Sequence, residues 1–264
     1  GQAVQGETLT LPASGAPTVA PEALWDDWTG GLADPARGRL RTRDPVGTLR
    51  GRAPYELGIA RTPLPVRSHE VNVTVRGDLA RTEVIQTFFN ARSDTLEGVW
   101  EIRIPEGAIV ESFSVNTGMG FLDAVPQPVQ LQSGYALNWM GSDFYDSRLS
   151  YDGPGRLRAR IYPIANGGTV QVRIRWTEWL ARTGEGASSR RTYVYPMRGD
   201  GEPPLLGEFI LNVDTTAAGA SAYRAGMGAV DEGGRIALRL SDYRPRADFT
   251  LDLYDAAGSG NLDG

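Results

Sequence analysis

Aromatic and acidic side chains are concentrated between residues 135 and 152. The carboxylates of this stretch are Asp143, Asp146 and Asp152, and the aromatic residues interleaved with them are Tyr135, Trp139, Phe144, Tyr145 and Tyr151. Long aromatic loops on a rigid scaffold commonly carry binding sites, and paired carboxylates in a cleft hydrolyse glycosidic bonds. The stretch therefore predicts a binding loop. A lid that closes one end of the fold is the alternative.

Arginine alternates with apolar residues on two neighbouring runs, and the four residues concerned are Arg158, Arg160, Arg173 and Arg175. Asn166–Gly167–Gly168 lies between the runs and is a strong signal for a β-hairpin. If the two runs pair, these arginines and Arg156 form a basic stripe for an acidic partner such as an anionic glycan. A sheet face neutralised by Glu101 and Glu83 is the other interpretation, and the acidic total charge favours it.

Catalytic chemistry finds little support in the residue types. The chain has no cysteine and no lysine, which excludes thiol nucleophiles, Schiff bases and the phosphate-binding loop with its lysine. His69 is the single histidine, and the chain contains no nucleophile-elbow motif that could supply a catalytic partner for it. We expect His69 to lie partly exposed at a strand end. The carboxylates match no calcium-loop spacing. We therefore expect no enzyme, no catalytic residues, no metal and no cofactor.

Composition limits the partners and the compartment. The 264 residues carry a formal net charge of −5, which disfavours a nucleic-acid binder. No apolar run is long enough to span a membrane, so we expect no transmembrane segment. The first residues, GQAVQGETLTLPASGAP, resemble a mature N-terminus. We expect an extracytoplasmic protein that is secreted, periplasmic or on the cell surface, with association to the cell envelope as an option.

The stretch from His69 to Val115 predicts a β-meander. Valines alternate with polar residues at 71, 73 and 75, which is the period of a strand with one wet face. Arg76–Gly77–Asp78 then predicts a turn. The run from Arg81 to Asn90 is β-branched and aromatic, and a further alternating run ends at Pro105.

The order of motifs in this stretch resembles the start of the VIT domain family, the vault/inter-alpha-trypsin module. The matching residues are Ala80, Thr82, Val84, Gln86, Phe88 and Asn90, followed by Glu97, Trp100, Pro105, Glu106, Gly107 and Ala108. The run LRARIYPIANGGTVQVRIRWTEWL is similar to the family's closing strand pair. The resemblance implies an antiparallel β-sandwich, and a von Willebrand type A domain commonly follows such a module.

The strand pattern continues after the resemblance closes. TYVYPM, GEFILNVDT, GRIALRLS and ADFTLDLYD predict four more strands. We therefore expect an all-β, antiparallel sandwich with additional C-terminal strands. Its parts are an N-terminal arm or linker at 1–54, a VIT-like core at 55–182, strands completing the same domain at 183–256, and a linker at 257–264 to a missing downstream region. Residues 116–155 are expected to be irregular.

Two functions from different classes fit these features. The first is a non-catalytic structural module of bacterial origin that binds a protein partner or itself, and mediates assembly or surface adhesion through sandwich edges and the 116–155 loop. A downstream type A domain of the same precursor is one such partner. The second is a glycan-binding or glycan-processing protein that uses the 135–152 stretch. A carboxylate pair in an aromatic cleft would favour the second function.

Overall fold

A computed structural model of the chain describes residues 46–56, 61–127, 136–139, 148–151, 155–184, 189–199 and 201–255. These residues contain no helix and eighteen strands. The strands are β1 (Thr48–Arg52), β2 (Thr62–Pro63), β3 (Val66–Arg76), β4 (Leu79–Phe89), β5 (Leu96–Arg103), β6 (Ile109–Asn116), β7 (Leu122–Gln127), β8 (Ala136–Trp139), β9 (Arg148–Tyr151), β10 (Arg156–Ile164), β11 (Thr169–Trp179), β12 (Ala181–Thr183), β13 (Arg190–Tyr195), β14 (Leu206–Ala217), β15 (Ala220–Ala225), β16 (Val230–Asp231), β17 (Arg235–Tyr243) and β18 (Phe249–Asp255).

Fourteen of these strands form one sheet that folds back over itself. The order β16-β17-β14-β3-β4-β11-β6 makes the long layer, β7 lies at the fold, and β8-β9-β10-β5-β1-β2 makes the return layer. The other four strands form the C-terminal sheet, in the order β12-β13-β18-β15. The protein is an all-β sandwich, as predicted. All its pairings are antiparallel among the described strands, except that β14 lies parallel to β3.

The return layer and the C-terminal sheet pack side by side on one face of the long layer. The Trp100 ring of β5 lies 5.4 Å from Phe113 of β6, which joins the return layer to the long layer. The Tyr195 ring of β13 stacks 6.4 Å from Trp176 of β11. Because Phe113 and Trp176 both belong to the buried inner face of the long layer, a single core serves the long layer, the return layer and the C-terminal sheet.

The β3–β4 hairpin follows the pattern read from the sequence. Val71, Val73 and Val75 are buried, and the polar residues between them are half-buried. Gly77 turns the chain with a φ of 56°, a left-handed conformation that glycine adopts without strain. The turn therefore sets the register that places the apolar residues of both strands on the inner face.

The predicted hairpin between β10 and β11 is wrong. Residues 165–168 do make a tight turn, in which the Gly168 N–H donates to the Ala165 carbonyl at 3.1 Å. The two strands, however, enter different layers: β10 pairs with β5 and β9, whereas β11 pairs with β4 and β6. Each strand buries its apolar face by turning away from the other, so the turn joins the two layers across the core.

Two further expectations need correction. Residues 116–155 are not wholly irregular, since β7, β8 and β9 lie there and carry the sheet from the long layer to the return layer. The predicted arm at 1–54 overlaps the sandwich, because β1 pairs with β5 along its whole length and Leu49 is fully buried. Residues 1–45 lie outside the described part of the chain.

Asn90 fastens the turn after β4 to the turn between the layers. Its amide donates to the carbonyl oxygens of Asp94 at 2.8 Å, Ala165 at 3.0 Å and Ile164 at 3.2 Å. Its Oδ1 accepts from the Arg92 N–H at 3.0 Å. The side chain is fully buried, so each of these backbone groups depends on it in place of water.

Asn90→Ala is expected to lower the free energy of unfolding by about 2 kcal/mol, because three buried carbonyl contacts and one N–H contact are lost together. Urea denaturation measures the loss. Asn212→Ala is the matched control, since Asn212 is exposed and its amide donates to Asn72 Oδ1 at 2.9 Å on a wet sheet face. An Asn90 variant that is no less stable than the Asn212 variant would contradict this role.

Candidate interaction surfaces

The first half of the motif that carries the family resemblance lies inside the protein. All six of its residues on β4 and directly after it point to the core and have no exposed surface: Ala80, Thr82, Val84, Gln86, Phe88 and Asn90. Three of the six are polar, and each has a hydrogen-bond partner in another element. These six residues therefore specify the framework of the sandwich and present no group to a ligand, whereas Glu106 and Gly107, in the second half of the motif, are exposed.

Gln86 is the centre of a buried network where the long layer, the return layer and the C-terminal sheet meet. Its Oε1 accepts from the indole N–H of Trp100 in the return layer at 2.8 Å. Its amide nitrogen donates to the Val46 carbonyl at 2.7 Å and to His69 Nδ1 at 3.0 Å. His69 Nε2 in turn lies 2.7 Å from the Tyr195 hydroxyl of the C-terminal sheet.

His69 is fully buried, so the expectation of a partly exposed strand-end histidine is wrong. Burial lowers its pKa to about 3, which keeps the ring neutral at physiological pH. Because the Gln86 amide donates to Nδ1, this geometry assigns the proton to Nε2, which donates to the Tyr195 hydroxyl. The histidine links two sheets and has no surface from which to act on a substrate.

Two of the predicted arginines lie on the outer face of the long layer. Arg175 donates to Glu83 through Nε at 2.7 Å. Arg173 donates to the Ser114 hydroxyl at 3.1 Å and approaches Asp123 at 3.3 Å. These contacts match the interpretation in which acids on neighbouring strands neutralise the arginines.

The other two predicted arginines lie on the outer face of the return layer. Arg158 donates to Glu101 through Nε at 2.8 Å, and both residues are buried. Arg160 approaches Glu97 at 3.4 Å. Because the two layers face each other across the core, their outer faces point in opposite directions. The two runs do not pair, so the alternative of a single basic stripe does not hold; the arginines are divided between two surfaces.

The aromatic and acidic candidates fall largely outside the described residues. Trp139 ends β8 and Tyr151 ends β9, and only their backbone positions are described. Tyr135, Phe144 and Tyr145 lie outside the described part, as do the three carboxylates of the same stretch. The prediction of a binding loop at 135–152 remains a prediction.

The structure adds an apolar surface that the sequence analysis did not single out. Trp179 and Ile109 are 72% and 68% exposed, on the outer face of the long layer. Thr177 pairs directly with Ile109, and Trp179, two residues further along β11, pairs with Leu79. Trp179 and Ile109 are therefore diagonal neighbours, about 7–8 Å apart between Cα atoms. We call Trp179, Ile109 and Leu79 the tryptophan patch.

Glu178 also went unnoticed in the sequence. It is half-buried beside the C-terminal sheet, where its Oε1 accepts from the indole N–H of Trp176 at 3.0 Å. Burial raises its pKa to about 7, although the tryptophan contact acts in the opposite direction. Alternation places Glu178 on the same face as Trp176, two residues earlier, but its charge favours the surface in a sequence.

Known proteins can now be compared with this framework. The family model of the vault protein inter-alpha-trypsin (VIT) domain matches residues 66–176, a range that runs from β3 into β11. Residues 66–176 are a VIT domain. Strand β1 and the C-terminal sheet lie outside this match, yet they complete the core of the VIT domain through Val46 and Tyr195.

Solved structures show weaker likenesses. A nutrient-binding protein from Legionella pneumophila aligns with a TM-score of 0.46 at 11% identity, covering 80% of this chain and 73% of that one. An M1 zinc metallopeptidase from Deinococcus radiodurans aligns with a TM-score of 0.37 at 12% identity, covering 72% of this chain and 42% of that one. At these TM-scores neither structure bears on what this chain does. No curated protein sequence matches the chain.

Within the described residues, no three His, Cys, Asp or Glu side chains are grouped to hold a metal ion. Asp252 and Asp255 accept hydrogen bonds from Thr192 and Arg191, respectively, at 2.7 Å each. None of the described segments contains a helix of the length and apolarity needed to cross a membrane.

Proposed function

We propose that this VIT chain is a non-catalytic interaction module that assembles with a second copy of itself through the tryptophan patch. The single observation behind the proposal is the exposure of Trp179 and Ile109 side by side on one sheet face. Large exposed apolar groups on a rigid surface are typical of protein interfaces, and tryptophan is enriched at their energetic centres.

The surroundings of the patch suit a self-complementary contact. Arg81 donates to Glu111 through Nε at 2.7 Å on one side of the patch, and Arg182 donates to Asp78 at 2.7 Å on the other. A polar rim with both signs of charge around an apolar centre is the usual anatomy of an interface. In a twofold dimer each sign can meet its opposite on the second copy.

The buried framework supports the non-catalytic part of the proposal. The polar groups of the VIT motif are occupied in fixing the sheets, and the one histidine is neutral inside the core. In this proposal the module acts outside the cytoplasm, in assembly or adhesion at the cell envelope. Fractionation of the producing cells tests the compartment separately.

Size-exclusion chromatography with light scattering tests the assembly. The wild-type chain is expected to show a mass above that of the 28.5 kDa monomer at micromolar concentration. Trp179→Ser is expected to return it to the monomer mass, because truncating a central tryptophan typically weakens an interface by about 30-fold or more.

Met119→Ser is the control for this experiment. Met119 is 85% exposed and follows β6, at the opposite end of the strand from Ile109. The Met119→Ser substitution removes a similar exposed apolar side chain and leaves the tryptophan patch unchanged. A wild-type chain that stays monomeric at every concentration, or a Met119 variant that dissociates as readily as the Trp179 variant, would overturn the proposal.

A further inference from the structure

The tight turn at residues 165–168 carries the dipeptide Asn166–Gly167 at its tip, and no other asparagine of the chain is followed by glycine. Both residues are exposed. The space where a side chain of Gly167 would begin holds no atom of the described residues within 4 Å. Gly167 has a φ of 62°, which glycine adopts without strain. The tip of the turn therefore stands in open space, and no side chain shields its backbone.

Hydrogen bonds hold the base of this turn and leave its tip unengaged. The Gly168 N–H donates to the Ala165 carbonyl at 3.1 Å. The buried Asn90 donates through its backbone N–H to the Gly168 carbonyl at 2.9 Å, and through its side-chain amide to the Ala165 carbonyl at 3.0 Å. In the described part of the chain, the Asn166 side chain and the Gly167 N–H take part in no hydrogen bond. Both groups are therefore available to react with each other.

The reaction that these two groups can undergo is an intramolecular cyclisation. The backbone nitrogen of Gly167 attacks the side-chain carbonyl carbon of Asn166, and a C–N bond forms. The bond from that carbon to the side-chain nitrogen breaks, and ammonia leaves with the proton of the attacking nitrogen. The product is a five-membered cyclic imide. Water then opens the imide at either of its two carbonyls, which yields aspartate or isoaspartate. The co-reactant is water, and no oxidant or reductant is needed.

We propose that Asn166 is a site of spontaneous deamidation, and that its isoaspartate product loosens the turn between the two layers. Glycine favours the first step because it has no Cβ to shield the attacking nitrogen. Both products add one negative charge to an exposed turn. The turn precedes β11, whereas Trp179 ends that strand. The proposal is therefore independent of self-assembly through the tryptophan patch.

Lengthening of the backbone is the part of the reaction that affects the fold. In isoaspartate the main chain passes through the former side-chain Cβ, which places one more atom between the Ala165 carbonyl and the Gly168 N–H. Asn90 holds both ends of the turn from inside the protein, so the turn cannot widen without the loss of a hydrogen bond at its base. Aspartate at the same position keeps the ordinary backbone. The isoaspartate form is therefore less stable to unfolding than the aspartate form.

Asn212 offers a comparison in which the exposure is similar and the local structure differs. It is exposed, but it lies within β14 and is followed by Val213. The β-branched side chain of Val213 crowds the backbone nitrogen that would have to attack. Pairing of β14 with β17 on one side and β3 on the other also holds this backbone extended. Asn212 is therefore an internal control in the same molecule.

Incubation of the full-length chain in mildly alkaline buffer, followed by trypsin digestion and mass spectrometry, tests the reaction. Trypsin cleaves after arginine and releases residues 161–173 and 199–224, which contain one asparagine each, Asn166 and Asn212. Relative to a sample that is not incubated, the first peptide is expected to convert to its aspartate and isoaspartate forms. The second peptide is expected to remain unchanged. Electron-transfer fragmentation distinguishes the two products.

Matched variants separate the added charge from the lengthened backbone. Asn166→Asp carries the charge on an ordinary backbone and is expected to unfold at the same urea midpoint as the wild-type chain. The incubated wild-type chain, once it contains isoaspartate, is expected to have a lower midpoint than Asn166→Asp. Asn166→Gln has no five-membered ring to form, so its midpoint is expected to be unchanged by the same incubation.

The released peptide of residues 161–173, incubated under the same conditions, supplies the reference without a fold. Conversion of this peptide while Asn166 of the folded chain stays intact would overturn the proposal, because the fold would then protect the site. Equal conversion of Asn166 and Asn212 would show that the turn confers no selectivity. A chain that contains isoaspartate at position 166 and unfolds at the midpoint of Asn166→Asp would show that the longer backbone does not loosen the turn.

Discussion

Replacing Gln86 with leucine is expected to lower the free energy of unfolding by about 4 kcal/mol. Leucine fills a similar volume but offers no polar atom. The Trp100 indole N–H, the Val46 carbonyl and His69 Nδ1 each lose the partner that they have within 3.0 Å. Each buried group left without a partner costs about 1–3 kcal/mol.

Urea denaturation, followed by tryptophan fluorescence and circular dichroism, measures this loss. Gln171→Leu is the matched control, because Gln171 is half-buried on the outer face of β11 and accepts from the Asn116 amide at 3.0 Å. It is expected to change the free energy of unfolding by less than about 1 kcal/mol. If both variants are equally stable, the network around Gln86 does not hold the two layers and the C-terminal sheet together.

Glu178 and His69 are expected to give the stability of this chain a distinctive pH dependence. The raised pKa of Glu178 means that the folded state holds a proton that the unfolded state releases above pH 4.5, so stability falls as the pH rises from 4.5 to about 7. The lowered pKa of His69 acts in the opposite direction. In the unfolded state His69 is protonated below pH 6.5, whereas in the folded state it stays neutral down to about pH 3. Stability is therefore lost as the pH falls from 6.5 to about 3.

Between pH 4.5 and 6.5 the two slopes oppose each other, and Glu178→Gln separates them. The amide oxygen of glutamine still accepts from the Trp176 indole but carries no charge. The variant is expected to be more stable than the wild type at pH 8 by about 2–3 kcal/mol. Its stability is expected to rise with pH by about 1.4 kcal/mol per unit between pH 4.5 and 6.5, because the His69 slope is then unopposed.

Urea denaturation at half-unit pH intervals measures both slopes. Glu83→Gln is the control, since it removes an outer-face glutamate that pairs with Arg175, and it is expected to lower rather than raise the stability at pH 8. A Glu178 variant that is no more stable than the wild type at pH 8 would show that this carboxyl is not held in a desolvated site.

Much of the fold was accessible from residue patterns because its strands alternate cleanly. The valines of β3 and the run Val170, Val172, Ile174 and Trp176 of β11 are all buried, as the period of two predicts. The four strands predicted after residue 190 correspond to β13, β14, β17 and β18. Local alternation is determined by the residues of the strand itself, and a single sequence carries that information.

Strand pairing was less accessible, since it depends on contacts between distant residues. The turn at 166–168 correctly signals a chain reversal, but a turn does not determine whether the strands on either side share a sheet. Both β10 and β11 have one apolar face. Placing the two strands in opposite layers buries these faces as effectively as pairing the strands with each other would. The placement of β10 and β11 in opposite layers determines on which outer face each candidate arginine lies.

Polar residues at inward positions were the hardest to interpret. His69 and Gln86 stand where alternation predicts the core, yet their polarity favours the surface in a sequence. The cost of burying these two polar side chains is offset because they bond to each other and to Trp100 and Tyr195. The resemblance to the VIT family identified Gln86 and Trp100 as motif residues but not as partners.

If the framework lies inside and the chain self-associates through Trp179, patch and framework variants must behave differently. Sedimentation equilibrium of the wild-type chain, the double variant Ile109→Ser, Trp179→Ser, and the framework variant Asn90→Ala measures this difference most directly. We expect the patch variant to raise the dissociation constant of self-association by about 30-fold or more. We expect the framework variant, though less stable, to leave this constant within about twofold of the wild type. Equal constants for the wild-type chain and the patch variant would show that the tryptophan patch is not the contact surface.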